Sequence, residues 1–187
     1  VRIGVLGGSF DPVHHGHLIA AQALREALGL DEVRLIPTCH QPLKPMGHAA
    51  PAADRAAMVG LAVAGTPGLA GDPIEVERGG TSYTVDTLRA LHVREPGVRW
   101  CLLLGSDAAG RLSEWREADA IPGLAEVITF NRTGQAAPGA VSVPAIAISS
   151  TAIRARARGG LSLRYWVPDG VAEYIASHRL YLHPPSR

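Results

Sequence analysis

The run Gly7-Gly8-Ser9-Phe10-Asp11-Pro12-Val13-His14-His15-Gly16-His17 brings together residue types that handle phosphate. Two glycines let a backbone approach a ligand with no Cβ in the way. A helix that starts here presents unpaired N–H groups and the positive end of its dipole. His14 and His17 are three apart, so at a helical entry they face the same way, and Gly16 between them leaves space for something bulky. This suits an anion with several oxygens. A metal would ask for Cys, Asp or Glu at a matching ligand spacing, which is missing, and would leave the glycines without a role. The run is not a dinucleotide fingerprint, because Gly-x-Gly-x-x-Gly is absent, and not a P-loop, because no Gly-Lys-Ser/Thr follows.

A second run with the same character is Ile148-Ser149-Ser150-Thr151-Ala152-Ile153-Arg154. Ser149 and Thr151 offer hydroxyls and a helix cap, and Arg154 offers a planar fork to a phosphate near the first turn. Taken alone, the same residues also make an ordinary cap followed by a solvated arginine. Gly105-Ser106-Asp107 closes the most apolar run of the chain; a carboxylate there can accept from ribose hydroxyls, cap the next helix, or do both. Trp115 lies in the polar stretch Ser113-Glu114-Trp115-Arg116-Glu117, where it can stack on a flat ring or serve packing. Ser82-Tyr83-Thr84 opens a helical pattern, and Thr38 and Lys44 follow an apolar run.

These residues fall at the ends of apolar runs, which says what must position them. Arg2–Leu6, Val33–Pro37, Ile74–Arg78, Trp100–Gly105, Val127–Asn131 and Ala145–Ser149 read as strands, with Trp100–Gly105 expected at the centre of the sheet. Leu18–Leu28, capped by Gly29, reads as a helix; so do a segment N-capped by Asp54 and running to about Ala64, Thr84–Arg94, Thr151–Arg158 and Pro168–His178. Residues 40–53 and 133–142 read as connections. Strands spaced by helices predict an α/β fold: a doubly wound parallel sheet with helices on both faces. In such sheets ligands bind beyond the carboxyl ends of the strands, where the residues above lie.

Composition narrows the class. The 187 residues, 47% of them apolar, suffice for one domain of ordinary size. A net charge of +1 gives no reason to expect nucleic acid or an anionic membrane as partner, and no apolar run approaches the roughly 20 residues of a membrane span. Two unclustered cysteines, Cys39 and Cys101, and the lack of a visible signal peptide point to a cytoplasmic protein without a disulfide framework.

Gly-Gly-Ser-Phe-Asp-Pro-x-His-x-Gly-His at 7–17 resembles the signature of the nucleotidyltransferases that carry a His/Thr-x-Gly-His motif, and Ile148-Ser149-x-Thr151-x-x-Arg154 matches their second phosphate motif. Within that superfamily the chain is similar, over nearly its whole length, to bacterial nicotinate-nucleotide adenylyltransferases. Ser162-x-Arg164-Tyr165-x-Val167-Pro168 and Leu180-Tyr181 also match and are expected to be mainly structural. The resemblance implies a Rossmann-like domain over residues 1–187, with 151–187 as its C-terminal helical part. It implies adenylyl transfer from ATP to nicotinic acid mononucleotide, with Mg²⁺ delivered by ATP and no dedicated metal site.

It also implies roles. His14, His17 and Arg154 would be catalytic. Gly7, Gly8, Ser9, Phe10, Gly105, Asp107, Ile148, Ser149 and Thr151 would bind ATP, with Asp107 on the ribose. Thr38, Lys44, Tyr83, Thr84 and Trp115 would bind the mononucleotide. Relatives carry a His-Lys or His-Arg pair where this chain has Leu43-Lys44, a departure at the first position. A homo-oligomer is compatible with the sequence. The start of the Thr84–Arg94 helix would favour nicotinate over nicotinamide, with no acidic residue evident on the helix-start side and Asp86 close in sequence.

Overall fold

A computed structural model describes residues 1–42, 47–132 and 139–182, the side chain of residue 132 excepted. In chain order the elements are β1 (Arg2–Gly8), α1 (His15–Leu28), β2 (Glu32–Pro37), α2 (Ala52–Val63), β3 (Leu69–Gly71), α3 (Ile74–Arg78), α4 (Thr84–Arg94), β4 (Arg99–Gly105), α5 (Ser106–Ala109), α6 (Ile121–Leu124), β5 (Glu126–Arg132), β6 (Val141–Val143), α7 (Ser150–Arg158) and α8 (Asp169–Ser177). Two 3-10 turns, Leu112–Glu114 and Ala118–Ala120, lie between α5 and α6. Within the described residues the strands form one six-stranded sheet, order β3-β2-β1-β4-β5-β6, with every pair parallel.

Alternation along the strands sends side chains to two cores. Val33, Leu35, Cys101 and Leu103 meet Leu24 of α1, Met58 and Val59 of α2, Ile153 of α7 and Val171 of α8. Val5, Ile36, Leu102 and Leu104 point the other way, to Ile74 of α3, Leu88 and Leu91 of α4 and Ile121 of α6. The sheet is thus covered on both faces, as a parallel sheet must be. Among the described residues no helix is long and apolar enough to cross a membrane.

Three expectations need correction. Ile74–Arg78 is a helix, and the third strand is Leu69–Gly71. Ile-Glu-Val-Glu-Arg alternates like a strand, but Asp72 accepts from the Ile74 N–H (3.1 Å) through its side chain and turns the chain into a helix start. The last strand is Val141–Val143, pairing with β5, whereas 145–149 has no ladder. Pro144, which has no N–H to donate, follows the strand directly, and the Ile148 N–H turns back on the Ile146 carbonyl (2.8 Å). So Val141 and Ser142 leave the connection expected at 133–142, while 133–138 lie outside the described residues. Third, α2 starts at Ala52 after Pro51, and Asp54 sits in its first turn, accepting from the Tyr174 hydroxyl (2.8 Å) of α8.

Candidate active site

The strand order reverses between β1 and β4, and a cleft of about 370 Å³ opens there, beyond their carboxyl ends. Gly7 and Gly8 end β1 in its wall; Leu104 and Gly105 end β4 opposite. Of the residues singled out in the sequence, Gly7, Gly8, Phe10, His17, Thr38, Tyr83, Thr84, Gly105 and Trp115 line the cleft.

At one end the loop after β1 enters α1. The rings of His14 and His17 stack with centroids 3.7 Å apart and planes 26° apart. His14 is buried and His17 lines the cleft. The His14 backbone N–H donates to His17 Nδ1 (3.2 Å), which assigns the His17 ring proton to Nε2 and makes that nitrogen the donor. Phe10 packs edge-on against the His17 ring at 5.0 Å and fixes its plane from the other side. The space beside Gly16 is taken within the protein: a Cβ there would stand 3.0 Å from the His14 ring, so Gly16 is what lets His14 stack behind His17.

Phe10 holds a left-handed φ of 45°, which a bulky side chain adopts only when its neighbours dictate it. Asp11 and Arg55 do so. The Asp11 carboxylate accepts from the Ala49 N–H (2.7 Å), the Ala50 N–H (3.1 Å) and the Tyr181 hydroxyl (2.9 Å). The guanidinium of Arg55, 1% exposed, donates to the carbonyls of Ser9 (2.7 Å), Cys39 (3.0 Å) and Ala50 (3.2 Å). Burial lowers its pKa and the Asp11 carboxylate opposes that shift. Burial, reinforced by Asp11, pushes the Tyr181 phenol well above its usual value, so it stays a donor. This gives the Leu180-Tyr181 match its structural purpose.

The second phosphate motif reaches the same loop. Arg154 donates from Nη1 to the Asp11 carbonyl (2.8 Å) and from Nη2 to Thr151 Oγ1 (3.3 Å), and Ser150 Oγ donates to the Pro12 carbonyl (2.9 Å). Ser149 caps α7 by accepting from the Ala152 N–H (3.1 Å). Ile148 packs on the core, while its neighbour Ile146 lines the cleft. Asp107 is exposed in the first turn of α5, whose N-cap is Gly105; of the two uses left open for it, capping is not the one made. The Ser9 hydroxyl points to the loop after β2, donating to Gln41 Oε1 (2.9 Å) with His48 Nε2 at 3.1 Å.

The far end of the cleft is assembled from distant segments. The loop after β2 pairs with the approach to α4: Ser82 N–H donates to the His40 carbonyl (2.9 Å), and the His40 ring lies 3.1 Å from the Gly80 carbonyl. Tyr83 and Thr84 open α4. Arg116 lays its guanidinium over the Tyr83 ring at 4.8 Å and pairs with Asp86 (3.2 Å). Trp115 is half-buried against the α4 face of the sheet and lines the cleft. Lys44 lies outside the described residues.

Sequence reasoning missed Glu75, Thr87, Gln41 and Arg116, all of which line the cleft. Glu75 was hidden inside the misread strand; the Asp-Pro pair at 72–73 is the signal for a turn into a helix. Thr87 was an unremarkable position in a helix, and Gln41 lay in a loop. Arg116 adjoins Trp115 and was in view, but nothing in the sequence shows that it covers Tyr83.

Residues 5–156 match the family model described as cytidylyltransferase-like. A probable nicotinate-nucleotide adenylyltransferase of Herpetosiphon aurantiacus is 42% identical over 97% of this chain and 98% of that protein. One of Corynebacterium kroppenstedtii is 41% identical over 97% of this chain and 91% of that protein. Among solved structures, the nicotinic acid mononucleotide adenylyltransferase of Plasmodium falciparum complexed with NaAD superposes with a TM-score of 0.78 at 17% identity, covering 99% of each chain. That likeness speaks for the fold.

Proposed function

The chain belongs to the cytidylyltransferase-like family and to the nicotinate-nucleotide adenylyltransferases, and from that premise we propose how its cleft joins ATP to nicotinic acid mononucleotide, giving nicotinic acid adenine dinucleotide and pyrophosphate. An oxygen of the mononucleotide phosphate attacks the α-phosphorus of ATP. The new P–O bond forms as the bond to the β-phosphate oxygen breaks, and pyrophosphate carries the electron pair away. A phosphate monoester is mostly dianionic at neutral pH, so no side chain has to remove a proton first. What the protein supplies is in-line positioning and stabilisation of charge.

The observation that carries this reading is the His17 imidazole. Its Nε2–H is the donor end in a cleft at the start of α1, and the ring is clamped between Phe10 and His14. A donor fixed in advance stabilises transition-state charge without reorganising. His17 takes the α-phosphate. Arg154, already held at the loop by Asp11, acts on the β- and γ-phosphates, and His14, buried behind His17, backs the ring that meets the triphosphate. Gly7, Gly8, Ser9, Phe10, Ile148, Ser149 and Thr151 shape the ATP loops, and Gly105 and Asp107 take the adenosine side. Thr38, Tyr83, Thr84 and Trp115, with Lys44, take the mononucleotide. This donor set of imidazole, guanidinium and backbone N–H suits phosphate oxygens, so Mg²⁺ is assigned to ATP itself, where it offsets triphosphate charge.

Residues 1–187 are read as one nucleotidyltransferase domain working in the cytoplasm; Cys39 and Cys101, both buried and neither in a disulfide, suit a reducing compartment. Pyrophosphate release tests the assignment. ATP with nicotinic acid mononucleotide should give it, and chelating Mg²⁺ should stop it. Release with phosphopantetheine as acceptor, or with CTP in place of ATP, and none with this pair, would overturn it.

A further inference from the structure

The wall read as the acceptor pocket contains a buried acid that the reaction does not use. Glu75 is 6% exposed, on α3, and lines the cleft with Ser82, Tyr83, Thr84 and Thr87. Its Oε1 lies 2.7 Å from Thr87 Oγ1, and its Oε2 is buried, with the Ser82 hydroxyl acting on the same carboxyl. Thr87 Oγ1 also lies 3.2 Å from the Tyr83 carbonyl and accepts from Arg78 Nη2 at 3.1 Å. A hydroxyl has one proton, so Thr87 donates either to Glu75 or to Tyr83. Beside a carboxylate it donates to Glu75. Beside a neutral acid the bond can reverse, with Glu75 donating to Thr87 and Thr87 donating to Tyr83.

We propose that Glu75 is a specificity-determining residue for the acceptor: as a neutral acid it lets the pocket hold the anionic nicotinate ring, and as a carboxylate it opposes that ring and favours the amide. This rests on the reading of Tyr83, Thr84 and Trp115 as the acceptor wall. The charged groups around Glu75 divide. Arg78, on its own helix and bonded to Thr87, favours the carboxylate; Asp72, just before α3, opposes it, although Asp72 is itself paired with Arg94 and Arg34. From α4 and the segment before it come the hydroxyls of Thr87 and Ser82, and from β2 the apolar Ile36. Burial outweighs these and raises the Glu75 pKa, with Ser82, Thr87 and Arg78 pulling the other way. A raised pKa leaves the acid neutral at low pH and ionises it as the pH climbs through that value. Nicotinate selectivity should therefore be greatest at low pH and decline above it.

The experiment is the ratio of kcat/KM for nicotinic acid mononucleotide to that for nicotinamide mononucleotide, measured upward from about pH 5, just above the ordinary glutamate value, to as high a pH as the fold allows. The two acceptors share the phosphate and ATP, so titrations of those groups cancel. For the wild type the ratio should fall by about tenfold or more across the range, as expected when a charge is created beside a like charge. Glu75→Gln keeps the shape and removes the titration; its ratio should stay at the low-pH level throughout. Thr87→Val removes the donor that favours the carboxylate, so the fall should move to higher pH; this variant tests the idea even if Glu75→Gln does not fold. A wild-type ratio that is flat with pH, a slope that persists in Glu75→Gln, or a Thr87→Val profile that does not move would overturn the proposal while leaving the acceptor reading intact. No turnover of nicotinic acid mononucleotide at any pH would remove the acceptor reading itself.

Discussion

The two ends of the cleft are built in opposite ways. The end read as the phosphate site comes from two short runs, 7–17 and 148–154, stitched by bonds from Arg154 and Ser150 to the backbone of Asp11 and Pro12. Its neighbours are fixed by a buried cation, Arg55, and by the Asp11 carboxylate, which accepts three hydrogen bonds. The end read as the acceptor site draws on the β2 loop, α3, the start of α4 and the stretch around Trp115, joined by the Ser82 N–H to the His40 carbonyl, by hydroxyls, by the Arg116–Tyr83 cation–π contact and by the Arg116–Asp86 and Arg89–Glu117 pairs. The lesson is a division of labour. Charge stabilisation needs donors that do not move, and on the proposed roles it falls where the backbone is clamped. Choice of acceptor needs shape and local charge, so it is spread over segments that only tertiary structure brings together.

Substitutions at the two ends should then fail differently. The largest effect belongs to His17→Ala. It should lower kcat/KM by about two or more powers of ten, as loss of a transition-state donor does, with the fold kept. A soluble, folded variant near the wild-type rate would break the phosphate-end account. Trp115→Ala should be smaller and one-sided. Loss of a stacking surface worth about 0.5–1.5 kcal/mol should raise KM for the mononucleotide by up to about tenfold and change KM for ATP far less. Equal effects on both substrates would make Trp115 a packing residue and blur the division. The smallest belongs to Asp107→Ala, because Asp107 is exposed. One lost hydrogen-bonding partner, about 0.5–1.5 kcal/mol, should raise KM for ATP several-fold and spare the acceptor. An unchanged KM for ATP would remove the ribose contact.

The same contrast explains what the sequence could show. Backbone-approach glycines and a His pair three apart are local devices, so 7–17 reads as a candidate phosphate site from the sequence alone, whereas 148–154 takes that reading only beside it. The alternating sheet, α1 with its Gly29 cap, and Thr84–Arg94 were legible for the same reason. Periodicity misled where a turn residue outranked it: Asp72 made a helix of Ile74–Arg78, and Pro144 moved the last strand to Val141–Val143. The first error hid Glu75. The sequence shows no acid on the helix-start side of Tyr83-Thr84, with Asp86 close by; Glu75 lies in the cleft wall, 2.7 Å from Thr87. No local pattern pairs residues 75 and 87, or 83 and 116, so Glu75 and the Arg116 cover of Tyr83 come into view only in three dimensions, whereas Tyr83, Thr84 and Trp115 are named from the resemblance.

Acceptor choice tests the account most directly, because it joins the chemistry of one end to the selectivity of the other. The measurement is kcat/KM for nicotinic acid mononucleotide and for nicotinamide mononucleotide under identical ATP and Mg²⁺ near neutral pH. The N–H groups at the start of α4, which opens with Thr84, and the positive dipole end there favour a carboxylate, whereas an amide NH₂ points a donor at donors. That mismatch costs about 1–3 kcal/mol, so the nicotinate form should lead by roughly one to two powers of ten. A ratio near one, or a lead for the amide, would contradict this picture of the pocket.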